Sequence, residues 1–242
     1  MRKMEKVVLA GKMLKGSILS KDWQSILTSA ADFRYSQLGE ISLVYPLPNG
    51  EGSLVVMDDI PYLTKEGSLA MVQKFFKTHR MMDYRLMKHT CRLLPALPSK
   101  KIPIVNAHFG LFPIETPENS VWLNPLSIVN VQAQSSDSLV ELTSGLSLEL
   151  PIHRKSLTSL ASKAVYTFAT YRQDYSAVLR TAGLPLDFVS LPDTPFGRLL
   201  ERQALLQRWL LTPGRFFDRY KQLEHLQWFR SLREKDFDTL DD

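Results

Sequence analysis

The chain has 242 residues, which suits one sizeable domain or two small ones. Its apolar share of 44% is ordinary for a globular protein, and a single cysteine, Cys91, excludes an internal disulfide framework and fits a reducing compartment. The formal net charge is +5, no apolar run approaches a membrane helix in length, and Val7 to Ala10 is too short for a secretion signal, so a soluble cytoplasmic protein is expected.

Residues 1–35 read as a basic N-terminal arm with one short helix around Trp23 to Ala31. Ile41 to Tyr45 and Ser53 to Met57 are rich in β-formers. They are joined by Pro46-Leu47-Pro48-Asn49-Gly50-Glu51-Gly52, and this turn chemistry predicts a hairpin. Gly67 to His79 predicts a helix with Leu69, Val72 and Phe76 on one stripe.

A basic helix follows, ended by Pro95-Ala96-Leu97-Pro98-Ser99. Arg85, Lys88, His89 and Arg92 recur at i, i+3, i+4 and i+7 and so share one face, while Tyr84, Met87, Cys91 and Leu94 take the other. From Met71 to Lys101 there are eight Lys/Arg (Lys74, Lys77, Arg80, Arg85, Lys88, Arg92, Lys100, Lys101) against Asp83 alone. Residues 102–153 have no Lys or Arg and five acids (Glu115, Glu118, Asp137, Glu141, Glu149), so the net charge understates the local field. Charge packed in this way points to nucleic acid or an anionic surface; a merely solvated helix face is the other reading.

From Ile102 the pattern becomes that of strands. Ile104-Val105, Phe109 to Phe112, Trp122 to Val131 with a break at Asn124-Pro125, and a hairpin around Ser144-Gly145 with alternating Leu146, Leu148 and Leu150 predict a compact antiparallel β unit over 102–152. Trp122, among aliphatic residues, is expected as a core anchor and not as a base-stacking platform.

After Pro151 helices are expected over 156–175, 196–211 and 213–234, with a linker at 183–195. The stretch Arg154 to Arg180 is a second basic run: Arg154, Lys155, Lys163, Arg172 and Arg180 against Asp174. Beyond residue 183 the charges nearly balance. Trp209, Phe216, Phe217, Tyr220 and Trp228 recur at helical spacing, as the core of a helical cap or as a self-association surface.

No catalytic chemistry is legible. His79, His89, His108, His153 and His225 are scattered without a zinc-ligand spacing, and there is no nucleophile elbow, phosphate-binding loop or dinucleotide fingerprint. A non-enzyme without cofactor is expected. A module docking on protein or anionic membrane is the alternative, although Thr90 and Cys91 replace the bulky wedge expected of a lipid-facing helix.

Residues 101–125, K-I-P-I-V-N-A-H-F-G-L-F-P-I-E-T-P-E-N-S-V-W-L-N-P, resemble the bacterial competence transcription factor (ComK) family. The matching features are Lys101 before Pro103-Ile104, Phe112-Pro113, Thr116-Pro117 and Trp122-Leu123. Residues 140–157 continue it with the Ser144-Gly145 turn and Leu150-Pro151-Ile152, and the basic helix precedes the Pro-Ile strand as in the family. The likeness spans about residues 40–180. Ser120-Val121 stand where members commonly carry a cysteine, and the part after about residue 183 is longer than usual.

This resemblance implies a DNA-binding activator of DNA-uptake genes. It would bind A·T-rich minor grooves as a dimer or higher oligomer and be controlled by an adaptor and a protease. The expected fold is α+β: an N-terminal β-hairpin and basic helix, a central antiparallel β unit, and C-terminal helices. The expected parts are an arm (1–35), a DNA-binding domain (36–182) and a helical extension (183–242). Expected DNA contacts are Arg85, Lys88, Arg92, Lys100, Lys101, Arg154, Lys155 and Arg172.

Overall fold

The structure, a computed structural model, describes residues 9–16, 20–176 and 183–233. From its start the described chain is packed. Strand β1 (Met13–Lys15) lies parallel to the strand Ser147–Leu150, with Leu9 and Leu14 buried. Ser20 caps α1 (Lys21–Ser29), whose Trp23 and Ile26, three residues apart, are fully buried. Residues 9–16 and 20–35 are therefore not the basic arm that their composition predicts. Lys12, Lys15 and Lys21 raise the charge of a segment whose Leu9, Leu14, Trp23, Ile26 and Phe33 are buried. Residues 1–8 of the expected arm lie outside the described residues.

The larger sheet starts with β2 (Ala31–Asp32), β3 (Ile41–Pro46), β4 (Ser53–Met57) and β5 (Ile60–Thr64). Strands β3 and β4 pair antiparallel, Val44 opposite Val55. At their turn a side chain on Gly52 (φ +127°) would run into the Thr64 carbonyl oxygen, so glycine is required there. Strands β4 and β5 are joined at Asp58 and Asp59, both left-handed (φ 50° and 61°), as a two-residue hairpin demands.

Helix α2 (Ser68–Thr78) buries Met71, Val72, Phe75 and Phe76, and α3 (Tyr84–Leu93) follows. Then come β6 (Ile104–Val105), β7 (Gly110–Pro113) and β8 (Trp122–Leu123). Strand β8 pairs with β3, completing seven strands in the order β2-β5-β4-β3-β8-β7-β6.

At Asn124 the chain leaves this sheet. The buried Asn124 side chain accepts from the Leu126 N–H (3.0 Å) and donates to Glu40 Oε1 (2.7 Å), fixing a tight turn over Pro125–Ser127. Strands β9 (Ile128–Gln134), β10 (Asp137–Leu142) and β11 (Ser147–Leu150) then form a second sheet, ordered β1-β11-β10-β9. The expected single unit over 102–152 is thus divided between two sheets. The strands before Asn124 are buried throughout and those after it alternate, and neither pattern by itself says which strand is the neighbour.

Helix α4 (Arg154–Asp174) packs on β6 and β7 of one sheet and β9 of the other, and is buried on every side from Ala164 to Thr170. Its buried hydroxyls are satisfied locally: Thr158, Thr167 and Thr170 each donate to the carbonyl four residues back.

The segment expected as a linker at 183–195 is docked, with Pro185 and Val189 buried; residues 177–182 lie outside the described residues. The helix expected over 196–211 ends early. Helix α5 (Pro195–Glu201) stops at Arg202, and a short 3-10 turn, Ala204–Gln207, follows. Tyr166 of α4 holds the next stretch, its hydroxyl accepting from the Leu210 and Leu211 N–H groups (2.8 and 3.1 Å).

Helix α6 (Arg215–Arg233) is capped from outside its own sequence. The Asp174 carboxylate at the end of α4 accepts from the N–H groups of Gly214 (2.6 Å), Phe216 (3.0 Å) and Phe217 (3.0 Å). Phe196, Leu200, Leu206, Phe216 and Tyr220 belong to the same hydrophobic core as both sheets, so residues 183–220 are no detachable appendage. Leu226, Trp228 and Phe229, on the second half of α6, are exposed.

Candidate functional site

The basic helix is built as its spacing predicts. Asp83 caps α3, its Oδ1 accepting from the Arg85 N–H (2.7 Å) and the Leu86 N–H (3.0 Å). Tyr84, Leu86, Met87, Thr90 and Cys91 face inward. Tyr84 donates to the Ile102 carbonyl (3.0 Å) and meets the Trp122 ring edge to face (centroids 5.5 Å). Trp122 is fully buried and donates from Nε1 to the Pro117 carbonyl (3.2 Å), which makes it the anchor under α3. Burial pushes the Cys91 thiol far above its ordinary range, so it is an inert core residue. From the other side, Tyr220 of α6 accepts from the Asp83 N–H (2.8 Å) and fixes the start of α3.

The outward face of α3 carries Arg85, His89 and Arg92, all exposed, and Lys88, half-buried with Nζ 5.3 Å from the Tyr84 ring centroid. No hydrogen bond or ion pair among the described residues involves the side chains of Arg85, Arg92 or Lys100. The cations are held on a helix whose other side is locked to the core, and they keep their full donor capacity.

The remaining expected contacts separate into two groups. Lys101, in a left-handed conformation (φ 47°), donates from Nζ to the Ile114 carbonyl (2.5 Å) and ties the chain to the end of β7. Arg172 is more fully engaged. Its guanidinium donates to the carbonyls of Ala107 (3.0 Å), Phe188 (3.0 Å) and His108 (3.4 Å) and lies 4.2 Å from the Phe168 ring centroid. Burial lowers its pKa, the mark of a cation drawn out of solvent. Arg172 joins α4 to the β6–β7 turn and to the docked segment after residue 183, so much of its donor capacity is committed to the fold. Arg154 and Lys155 are exposed but stand at the opposite end of α4, beside the smaller sheet. Eighteen residues of helix separate Arg154 from Arg172, about 27 Å. Arg154 and Arg172, at the two ends of the second basic run, therefore do not share one patch.

Helix α2 supplies two further cations that the expected set omits. Lys74, Lys77 and Arg85 all line one cleft of about 580 Å³ between α2, the start of α3 and α6. The only signal for Lys74 and Lys77 in the sequence is their share of the charge count, because nothing local says that α2 and α3 converge at that end. Lys74 is partly committed. It pairs with Glu66, and its Nζ lies 4.3 Å from the Tyr35 ring centroid. That pairing, with the Thr64 hydroxyl, holds the Glu66 carboxyl down at about 2.

Among the described residues, no helix is long and apolar enough to cross a membrane, and no three His, Cys, Asp or Glu side chains gather as metal ligands would. No protein-family model, no curated protein and no solved structure matches this chain.

Proposed function

We propose that the chain binds double-stranded DNA through the outer face of α3 and acts as a competence-type transcriptional activator. The observation that carries this reading is the set Arg85, Lys88 and Arg92. They are three cations on one helix face, opposite the core contacts of Tyr84, Met87 and Cys91. Lys100, just beyond the helix, adds a fourth cation and is exposed. Each phosphate neutralised releases counterions, so affinity should fall steeply with salt.

The resemblance to the competence transcription factor family supports the finer parts of the proposal. Selectivity then comes from the narrow, strongly negative minor groove of A·T-rich DNA, which attracts inserted Arg and Lys. The same likeness supports assembly as a dimer on paired half-sites and control by an adaptor and protease. Leu226 and Trp228, exposed on α6, are the apolar side chains a second copy would meet.

The test is affinity for matched A·T-rich and G·C-rich duplexes across a salt series, with anionic lipid vesicles as a third ligand. The expected result is a steep salt dependence with a preference for A·T. Equal affinity for both duplexes removes the groove reading, and binding to vesicles alone replaces it with a membrane-surface role. Trp228→Lys with Leu226→Lys should lower the mass in solution; an unchanged mass removes the role of this end of α6 in assembly.

A further inference from the structure

We propose that the cleft between α2, α3 and α6 is a seat for a phosphate group. At about 580 Å³ it has the size of a small-ligand site rather than of a surface wrinkle. Lys74 and Lys77 reach it from successive turns of α2, Arg85 from the first turn of α3, and Gln227 from α6. Lys77 and Arg85 are exposed, with no side-chain hydrogen bond or ion pair among the described residues, whereas Lys74 is held by Glu66 and Tyr35.

One acid, Asp83, also lines the cleft. Its charge opposes an anion, but its Oδ1 is turned into α3, where it accepts the N–H groups of Arg85 and Leu86. With Lys74 neutralised by Glu66, Lys77 and Arg85 against the Asp83 carboxylate still leave the concavity positive, and concave walls focus such a field. The rest of the wall includes Met81 and Met82, whose polarizable thioethers adapt to an organic group attached to the phosphate. Cationic donors on one side and an adaptable apolar wall on the other suit a phosphate ester better than a bare halide or a carboxylate peptide.

Such a phosphate has two sources. It can be a backbone phosphate of a bound duplex, in which case the inference rests on the DNA-binding reading and extends its interface to α2. It can instead be a free phosphorylated molecule of the nucleoside polyphosphate class, in which case the cleft is a ligand site in its own right.

The experiment uses the full chain with two probes: inorganic pyrophosphate by titration calorimetry, and an A·T-rich duplex across a salt series. The variants are Lys77→Gln and the double Lys77→Gln/Arg85→Gln, with Lys21→Gln on α1 as the control. Unchanged thermal midpoints establish that each variant is folded. The expected result for Lys77→Gln is pyrophosphate binding weakened about tenfold, the equivalent of one charge-assisted hydrogen bond. The duplex salt slope should fall by about one unit. Lys21→Gln should change neither. Loss of pyrophosphate binding alone identifies a free ligand, and loss of slope alone identifies the duplex backbone. If both probes respond to Lys77→Gln, one seat serves either. If affinity and slope stay at wild-type values even in the double variant, the proposal is overturned. A wild-type chain that binds no duplex sinks the DNA reading but leaves the pyrophosphate result to decide the cleft. A wild-type chain that binds neither probe overturns both.

Discussion

Helices α3 and α4 both carry Lys and Arg, and Arg172 of α4 uses its charge in the opposite way from Arg85 and Arg92 of α3. Helix α3 buries one face and leaves Arg85 and Arg92 without an acceptor among the described residues. Helix α4 is buried on every side from Ala164 to Thr170, and its Arg172 donates to three backbone carbonyls contributed by two distant segments. What separates the two cases is the supply of acceptors. A guanidinium that emerges beside irregular chain finds carbonyls unused by any sheet or helix and satisfies them. One that emerges from a helix on the surface finds only water. Availability to an external anion is therefore a property of the surroundings, not of the cation's spacing.

That contrast can be broken in several places, and the largest effect lies beneath α3. Trp122→Ala removes the side chain on which Tyr84 rests, and unfolding in urea should show a loss of about 3–5 kcal/mol. A change under about 1 kcal/mol would mean that α3 is not braced from below as described.

Arg172→Ala comes next. It strands the carbonyls of Ala107 and Phe188, and a loss of about 2–3 kcal/mol is expected, with the salt slope of DNA binding unchanged in the folded fraction. A fall in slope at full stability would return Arg172 to the list of DNA contacts.

Asp174→Ala tests the same end of α4. Three N–H groups at the start of α6 lose their acceptor, so stability should fall by about 1–2 kcal/mol. Because α6 in turn holds the start of α3 through Tyr220, amide exchange should quicken at Arg85 and Leu86 as well as at Phe216. Quickening confined to α6 would separate the two helices.

Glu66 marks the intermediate case, in which a cation is only half committed. Lys74 and then Thr64 pull its carboxyl from an ordinary 4.5 to about 2. A depressed carboxyl stabilises the fold above its unfolded value, and that contribution disappears as the pH falls from about 4.5 through about 2. The pair is partly solvent-exposed, so the effect is modest. Glu66→Gln should flatten this acid limb of the stability curve, and an unchanged limb would show the pair to be inert.

The smallest effect on stability belongs to the residues of greatest functional interest. Replacing Arg85, Lys88 and Arg92 together by Ala should leave the urea midpoint nearly in place, because among the described residues their side chains make no hydrogen bond or ion pair and only Lys88 touches the fold, over the Tyr84 ring. The slope of DNA affinity against salt should fall by about two to three units. Unfolding of this variant would overturn the assignment of faces, and an unchanged slope would make α3 ordinary solvated surface.

Much of this was written locally. The spacing of Arg85, Lys88, His89 and Arg92 against Tyr84, Met87 and Cys91 determines the two faces of α3, because helical periodicity is a property of the chain itself. The same holds for the α+β class, for the β3–β4 turn and for the helix in α4. Tertiary structure decided the rest. The break at Asn124 sends consecutive strands to different sheets, and Leu14, Trp23 and Ile26 draw a seemingly basic arm into the core. Arg172 meets Ala107 and His108, 65 and 64 residues away, only because α4 passes the β6–β7 turn. Lys77 joins Arg85 because α2 and α3 converge on α6. Periodicity and charge act between near neighbours in sequence and can be read there. Which carbonyl a distant arginine meets depends on how the whole chain packs, and no local pattern encodes it.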